Sequence, residues 1–281
     1  MARSIMIQGT MSSVGKSIIT TGLCRILSKD GYKVAPFKSQ NMSSLSYTLE
    51  DGAVISTAQF HQAKACNIAP SPLMNPILLK IEPMGCRVYI NGEDKGITSS
   101  KNYSDSKDEL RNIILDSYNK LSKDYDYIVI EGAGSPVEMN LNSNDIVNMG
   151  VAKITNSPVI LVSDIERGGV FASLYGTLML LPEDERSRIK GCIVNKFRGK
   201  RESIDSLSSK IEEITEKDLI GIVDYGDFYI DDEDTLSRYE DGKPLSQGDI
   251  EEQYDRVEKL LRRCLNIDRI YSILEGGHNG E

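Results

Sequence analysis

The sequence predicts an α/β protein built on a mainly parallel sheet with helices on both faces. Short β-branched runs alternate with longer helical patterns. Two of the runs, YIVI and PVILV, are apolar at every position, as strands covered on both faces must be, and a glycine-rich segment leads from the first run directly into a helix. Such alternation implies right-handed β-α-β crossovers. In chain order, strands are expected at SIMIQ (4–8), KVAPF (33–37), DYIVIE (126–131), PVILVS (158–163), IKGCIV (189–194) and LIGIV (219–223). The helical patterns run over 16–29, 57–67, 105–122, 145–155, 169–181 and 203–217. Residues 39–104 form an irregular stretch in which MNPILLK and CRVYING read as short strands or a small excursion from the sheet. An acidic and polar run over 231–248 reads as a linker that closes a domain of residues 1–230. Beyond it Ile250, Tyr254, Val257, Leu261 and Cys264 step by four and three residues. That spacing is one face of an amphipathic helix, with Ser246 or Asp249 as its cap, in a C-terminal helix and tail of 249–281.

Composition narrows the function classes. At about 150 residues per domain, 281 residues make two small domains or one large one. With 33 Lys+Arg against 42 Asp+Glu the net charge is −9, which argues against broad binding of a nucleic-acid backbone. No apolar run approaches the roughly 20 residues that span a bilayer, and the start MARSIMIQG has no long apolar leader. A cytoplasmic protein with no membrane or nucleic-acid partner is expected. The five cysteines, Cys24, Cys66, Cys86, Cys192 and Cys264, are an odd number without C-x-x-C spacing, so reduced structural thiols are expected. His61 and His278 are the only histidines, and neither has a nucleophile partner, which argues against a Ser/His or Cys/His hydrolase.

The chemistry-bearing residues gather at strand ends. GTMSSVGKS follows the first strand and opens a helix. Its glycines let backbone N–H groups curl around phosphates, the helix start adds a positive dipole end, Lys16 neutralises the β- and γ-phosphates, and Ser17 can ligate magnesium. The strict pattern has four residues between its glycines and this one has five, so Gly9, Thr10, Ser12, Ser13, Val14, Gly15, Lys16, Ser17 and Ile18 form a variant nucleotide loop. The strand 126–130 delivers Glu131 to the same edge as the acidic group that magnesium needs, with Gly132 leaving room for phosphates. PVILVSDIERGG repeats the logic with Asp164, Arg167 and Gly168, where a structural turn is the competing reading. Asn195 and Lys196, in IVNKFRG, are expected at the edge of the nucleotide base. PFKSQNMS brings Lys38, Gln40 and Asn41 to the edge where ligands of open α/β sheets collect. A lysine there can hold an acidic acceptor beside the γ-phosphate; a solvated lysine is the alternative.

Taken in order, QGTMSSVGKS, PFKSQNMS, MNPILLK, EGAGSPVEMN, DIVNMG, PVILVSDIERGGVFA and VNKFRG resemble the synthetase domain of the cobyric acid synthase family, over about residues 4–235. The loop is also similar to that of dethiobiotin synthetase. The resemblance implies a P-loop fold, ATP and magnesium as cofactors, and ATP-driven amidation of carboxylates on a corrinoid substrate through an acyl phosphate. It implies catalytic roles for Lys16, Lys38, Glu131 and Asp164, magnesium on Ser17 and Glu131, and acceptor contacts from Lys38, Gln40, Asn41, Asp164, Arg167 and Gly168. In that family a glutaminase domain follows the synthetase domain, and residues 235–281 do not resemble one, so free ammonia or a separate glutaminase is the expected nitrogen source; a homodimer is one assembly the resemblance allows. The family usually has an acidic residue at Val54, an arginine at Thr57, a histidine at Ser104 beside Asp105, and aspartate at Glu166. Two rivals remain, a degenerate nucleotide-binding subunit and a switching ATPase of the partitioning type.

Overall fold

The computed structural model describes residues 1–82, 85–98, 107–138, 145–200, 204–228 and 247–276. In chain order the elements are β1 (Arg3–Gly9), α1 (Lys16–Lys29), β2 (Val34–Phe37), β3 (Gln40–Ser43), β4 (Ser46–Thr48), β5 (Val54–Ser56), α2 (Thr57–Ala65), β6 (Ile77–Glu82), β7 (Gly85–Ile90) and β8 (Glu93–Thr98). They continue with α3 (Lys107–Leu121), β9 (Tyr127–Glu131), α4 (Met149–Ile154), β10 (Val159–Asp164), α5 (Val170–Leu180), α6 (Glu183–Arg186), β11 (Ile189–Phe197), α7 (Ile204–Thr215), β12 (Asp218–Asp224), α8 (Gln247–Cys264) and α9 (Ile267–Leu274).

The central sheet has the order β12-β11-β10-β1-β9-β2, with every neighbouring pair parallel. Its six strands lie on the six runs read from the sequence. Because successive side chains of a strand point to opposite faces, Ile5, Ile7, Tyr127 and Val129 enter one core while Met6, Ile128 and Ile130 enter the other. The first core is closed by Leu23, Ile26 and Leu27 of α1 and by Tyr254, Val257 and Leu261 of α8; the second by Ile114 of α3, Val151 of α4 and Leu174 of α5. This two-sided burial is why the strands carry no polar alternation.

Two expectations are corrected, and in the stretch 39–104 the reading as short strands is the one found. MNPILLK and CRVYING supply β6 and β7 of a second sheet, β3-β6-β7-β8, in which β3 pairs parallel with β6 and the other pairs are antiparallel. Asn75 fastens it: its Nδ2 donates to the carbonyls of Lys38 and Ile77, and its Oδ1 accepts from Ser56 N. The helix expected from 145 begins at Met149 instead. Asp145 caps that turn, its Oδ1 accepting from Val147 N and Asn148 N and its Oδ2 from Gly150 N, each at 2.8 Å. The C-terminal helix is two helices. Leu265 bridges to Gly221 of β12, Asn266 N donates to Ile220 O, and the Asn266 side chain then caps α9 by accepting from Arg269 N. Residues 229–246, which hold Ser246 and nearly all of the expected linker, lie outside the described residues, as do Ser104, Asp105 and His278.

All five cysteines are free thiols. Among the described residues no helix is long and apolar enough to cross a membrane.

Candidate nucleotide and acceptor site

The loop between β1 and α1 is shaped by residues in left-handed conformations, Ser13 at φ 60° and Gly15 at φ 96°. A Cβ on Gly15 would lie 2.2 Å from Asn195 Nδ2, so only glycine fits there. Asn195 Nδ2 donates to Val14 O at 2.8 Å and Lys196 Nζ to Ser13 O at 2.6 Å, so the end of β11 braces the loop from behind. Lys196 also pairs with Asp164 Oδ2 at 3.0 Å, and Asp164 Oδ1 accepts from Glu166 N. The structure therefore gives Asn195, Lys196 and Asp164 a bracing job that the sequence reading did not foresee. Thr10 is anchored through its N–H to Val162 O and its hydroxyl to Ser163; Ser12 is exposed and Ile18 half-buried.

Lys16 is buried and donates to Met11 O and Gly134 O, both at 3.3 Å, so its ammonium lies between the loop and the segment after β9. There Gly132 has no room for a side chain: a Cβ would meet Asn148 Oδ1 at 2.4 Å. Asn148 also clamps the backbone of Ala133, with Oδ1 on its N–H and Nδ2 on its carbonyl.

Glu131, at the end of β9, is the meeting point. Its Oε1 accepts from Ser17 Oγ at 2.9 Å and from Lys38 Nζ at 3.0 Å, and its Oε2 accepts from Gln62 Nε2. Lys38 and Glu131 are each 1% exposed, and two charges so far from water persist only as a pair. Burial by itself raises the Glu131 carboxyl pKa. The Lys38 charge, hydrogen bonds from Lys38 and Gln62, and the Lys16 charge outweigh burial and hold the carboxyl below the usual carboxylate range. Gln62 continues through Gln59 to Asn41, a further polar residue of the PFKSQNMS segment. Ser17 and Glu131 are oxygen donors of the hard kind magnesium takes, and among the described residues no three acidic or soft ligands gather to cage an ion. That donor set fits an ion held by one or two protein oxygens and by phosphates.

The structure thus unites Lys16, Ser17, Glu131 and Lys38, and joins Asn41 to them through two glutamines. Gln40 opens β3 and is half-buried. Arg167 and Gly168 are exposed in the turn after β10 and stand apart from this network; Glu166 turns away to pair with Arg198. Val54 starts β5, and Thr57, buried, opens α2. Sequence reasoning missed Gln59, Gln62 and Asn148. The spacing of three between the glutamines, on an expected helix, places both on one face and was the available signal. His61 Nδ1 meets Tyr254 OH of α8 at 2.7 Å.

Residues 5–236 match the family model described as the CobQ/CobB/MinD/ParA nucleotide binding domain. The chain is 55% identical over 242 residues to a cobyric acid synthase of Lachnoclostridium phytofermentans, covering 84% of this chain and 47% of that protein. It is 51% identical over 251 residues to the cobyric acid synthase of Clostridium novyi, covering 89% and 50%. The chain spans about half the length of these curated relatives. Among solved structures, chloroplast FtsY from Physcomitrella patens is similar with a TM-score of 0.49 at 13% identity, covering 81% of this chain and 60% of that one.

Proposed function

The chain belongs to the CobQ/CobB/MinD/ParA nucleotide-binding family, and on that premise we propose that it carries out the ATP-dependent half of a cobyric acid synthase reaction in the cytoplasm. The substrate is a corrinoid bearing free carboxylates, cobyrinic acid a,c-diamide on the way to cobyric acid, and the nitrogen comes as ammonia, free or from a separate glutaminase. The observation that carries the reading is the shared oxygen of Glu131: Ser17 from the phosphate loop and Lys38 from the acceptor strand both bond Oε1. Nucleotide and acceptor machinery therefore meet at one carboxylate.

A carboxylate is a poor acyl donor because oxide would have to leave. In the proposed sequence a substrate carboxylate oxygen attacks the γ-phosphorus, and the bond to the β–γ bridging oxygen breaks with its electron pair leaving on ADP. Ammonia then attacks the acyl carbon of the resulting acyl phosphate and phosphate departs. Lys16 and the loop amides hold the phosphates, and Lys38 neutralises the acceptor carboxylate; positioning and charge stabilisation are the protein's share. Ser17 and Glu131 would hold magnesium, which supplies further charge neutralisation at the phosphates. Asp164, Arg167, Gly168 and Gln40 would border the acceptor, and Asn195 and Lys196 the base.

The test is incubation of the chain with ATP, magnesium, ammonium and an acidic corrinoid, following ADP and product mass together. One exchange of hydroxyl for amino per ADP is expected. Hydrolysis of ATP at the same rate without any acceptor would instead favour a switching ATPase.

A further inference from the structure

Glu131 imposes a direction on a chain of three amides. An ionised carboxylate only accepts hydrogen bonds, so the Gln62 group that meets Glu131 Oε2 must be Nε2. Gln62 Oε1 is then left to accept from Gln59 Nε2 at 3.2 Å. Gln59 Oε1 accepts in turn from Ser56 Oγ and from Asn41 Nδ2, the latter at 3.2 Å. Each amide is oriented by the one before it, and the last is left presenting Asn41 Oδ1. Asn41 is 1% exposed, and its Oδ1 has no hydrogen-bond partner among the described residues. Flipping the Asn41 amide offers no relief, because it would set Oδ1 against Gln59 Oε1. Flipping all three would set Gln62 Oε1 against the Glu131 carboxylate. A buried acceptor held in this way calls for a donor that the described residues do not supply.

We propose that Asn41 Oδ1 is the binding point for an N–H of the nitrogen nucleophile, ammonia, with Gln62 and Gln59 as the positioning residues that keep the oxygen turned toward it. This rests on the amidation reading above. A carbonyl oxygen repels the acceptor carboxylate, which Lys38 three residues earlier is suited to hold, and takes an N–H donor instead. With one N–H on Asn41, the nitrogen lone pair is left to attack. The C–N bond forms, the acyl C–O bond breaks with its electron pair on phosphate, and phosphate takes the proton shed by nitrogen.

Two measurements test this. In the wild-type chain with ADP and magnesium, the side-chain amide NMR signals of Asn41 should shift on titration with ammonium chloride and not with potassium chloride; the absence of an ammonium-specific shift overturns the proposal. In Asn41→Leu, the KM for ammonium should rise about tenfold, the loss of one hydrogen bond. Positional isotope exchange in ATP, driven by the carboxylate substrate without ammonium, should fall by much less. An exchange rate that falls as far as amidation does would assign Asn41 to the carboxylate and also overturn the proposal. No exchange in the wild type would defeat the amidation reading itself, while the titration still decides whether Asn41 takes an N–H donor.

Discussion

Lys16 and His61 show how differently two buried bases are used. Lys16 donates to two carbonyl oxygens, Met11 O and Gly134 O, and its charge acts on Glu131 through space, a setting suited to phosphate. Charge-assisted contacts of this kind contribute about 1.5–3 kcal/mol, so Lys16→Ala should weaken ATP binding roughly 10- to 150-fold. An unchanged affinity by calorimetric titration would remove the loop from the nucleotide site. His61 is the opposite case, a base kept neutral. Burial lowers its pKa from 6.5 to about 4, with Nδ1 against Tyr254 OH. The unfolded chain therefore binds a proton below pH 6.5 that the folded chain refuses until about pH 4. Stability from the neutral ring is fully present above pH 6.5 and is lost as pH falls toward 4, an acid-side loss of about 2 kcal/mol at pH 5. Urea midpoints at pH 7 and pH 5 should show this drop in the wild type and a clearly smaller one in His61→Gln. Equal drops would mean that the ring is not the acid-sensitive group.

At the level of elements, the C-terminal pair is fitted to the main sheet by two glycines. A Cβ on Gly22 of α1 would meet Leu261 Cδ1 at 2.4 Å and Val257 Cγ1 at 2.8 Å, so α8 crosses α1 where no side chain intervenes. A Cβ on Gly221 of β12 would meet the carbonyl oxygen of Cys264 at 2.2 Å and Leu265 Cα at 2.9 Å. These are backbone atoms that cannot rotate away, so Gly221→Ala should cost about 3 kcal/mol, the upper range for overpacking. Amide hydrogen exchange should then accelerate in α8 and α9 before β1 and β9; uniform acceleration would show that the pair is not a separable unit. The six central strands were legible in the sequence because burial on both faces leaves continuous apolar runs. The sheet of β3, β6, β7 and β8 was not, because β3 pairs across more than thirty residues with β6 and no local period records that partner. The break before α9 escaped notice because Asn266 caps a helix only once Leu265 has been tied to Gly221. In the site, Lys16, Ser17, Lys38 and Glu131 were readable as residues at strand ends. Gln59 and Gln62 shared a helical face in the sequence, but the direction that face takes over the sheet is set by Arg25 and by α8. Arg25 holds Ala65 O and Asn67 from α1 while pairing with Glu251 and Asp255.

Across the whole molecule, the C-terminal ends of β1, β9, β10, β11 and β2 all open on one edge, and the order of the sheet determines which groups can meet there. β1 lies beside β9, and β9 beside β2. The phosphate loop and Lys38 are therefore separated by a single strand, whose last residue, Glu131, bonds both Ser17 and Lys38. Asn195 and Lys196, which brace the loop, come from the other side, two strands away from β1 across β10. The positive charge of Lys16 and Lys38 is thus gathered at the β9 side, so on the proposed roles an acceptor at Lys38 would lie by the β–γ end of the nucleotide, the end assigned to Lys16. An adenylating ligase would need its acceptor beside the α-phosphate. ADP and phosphate are therefore the expected products, dependent on a carboxylate acceptor, and oxygen-18 placed in that carboxylate should appear in the released phosphate through the acyl phosphate. Mass spectrometry of the phosphate decides the matter. AMP as the nucleotide product, or phosphate without label, would mean that attack does not fall on the γ-phosphorus and that the meeting of Ser17 and Lys38 at Glu131 serves some other chemistry.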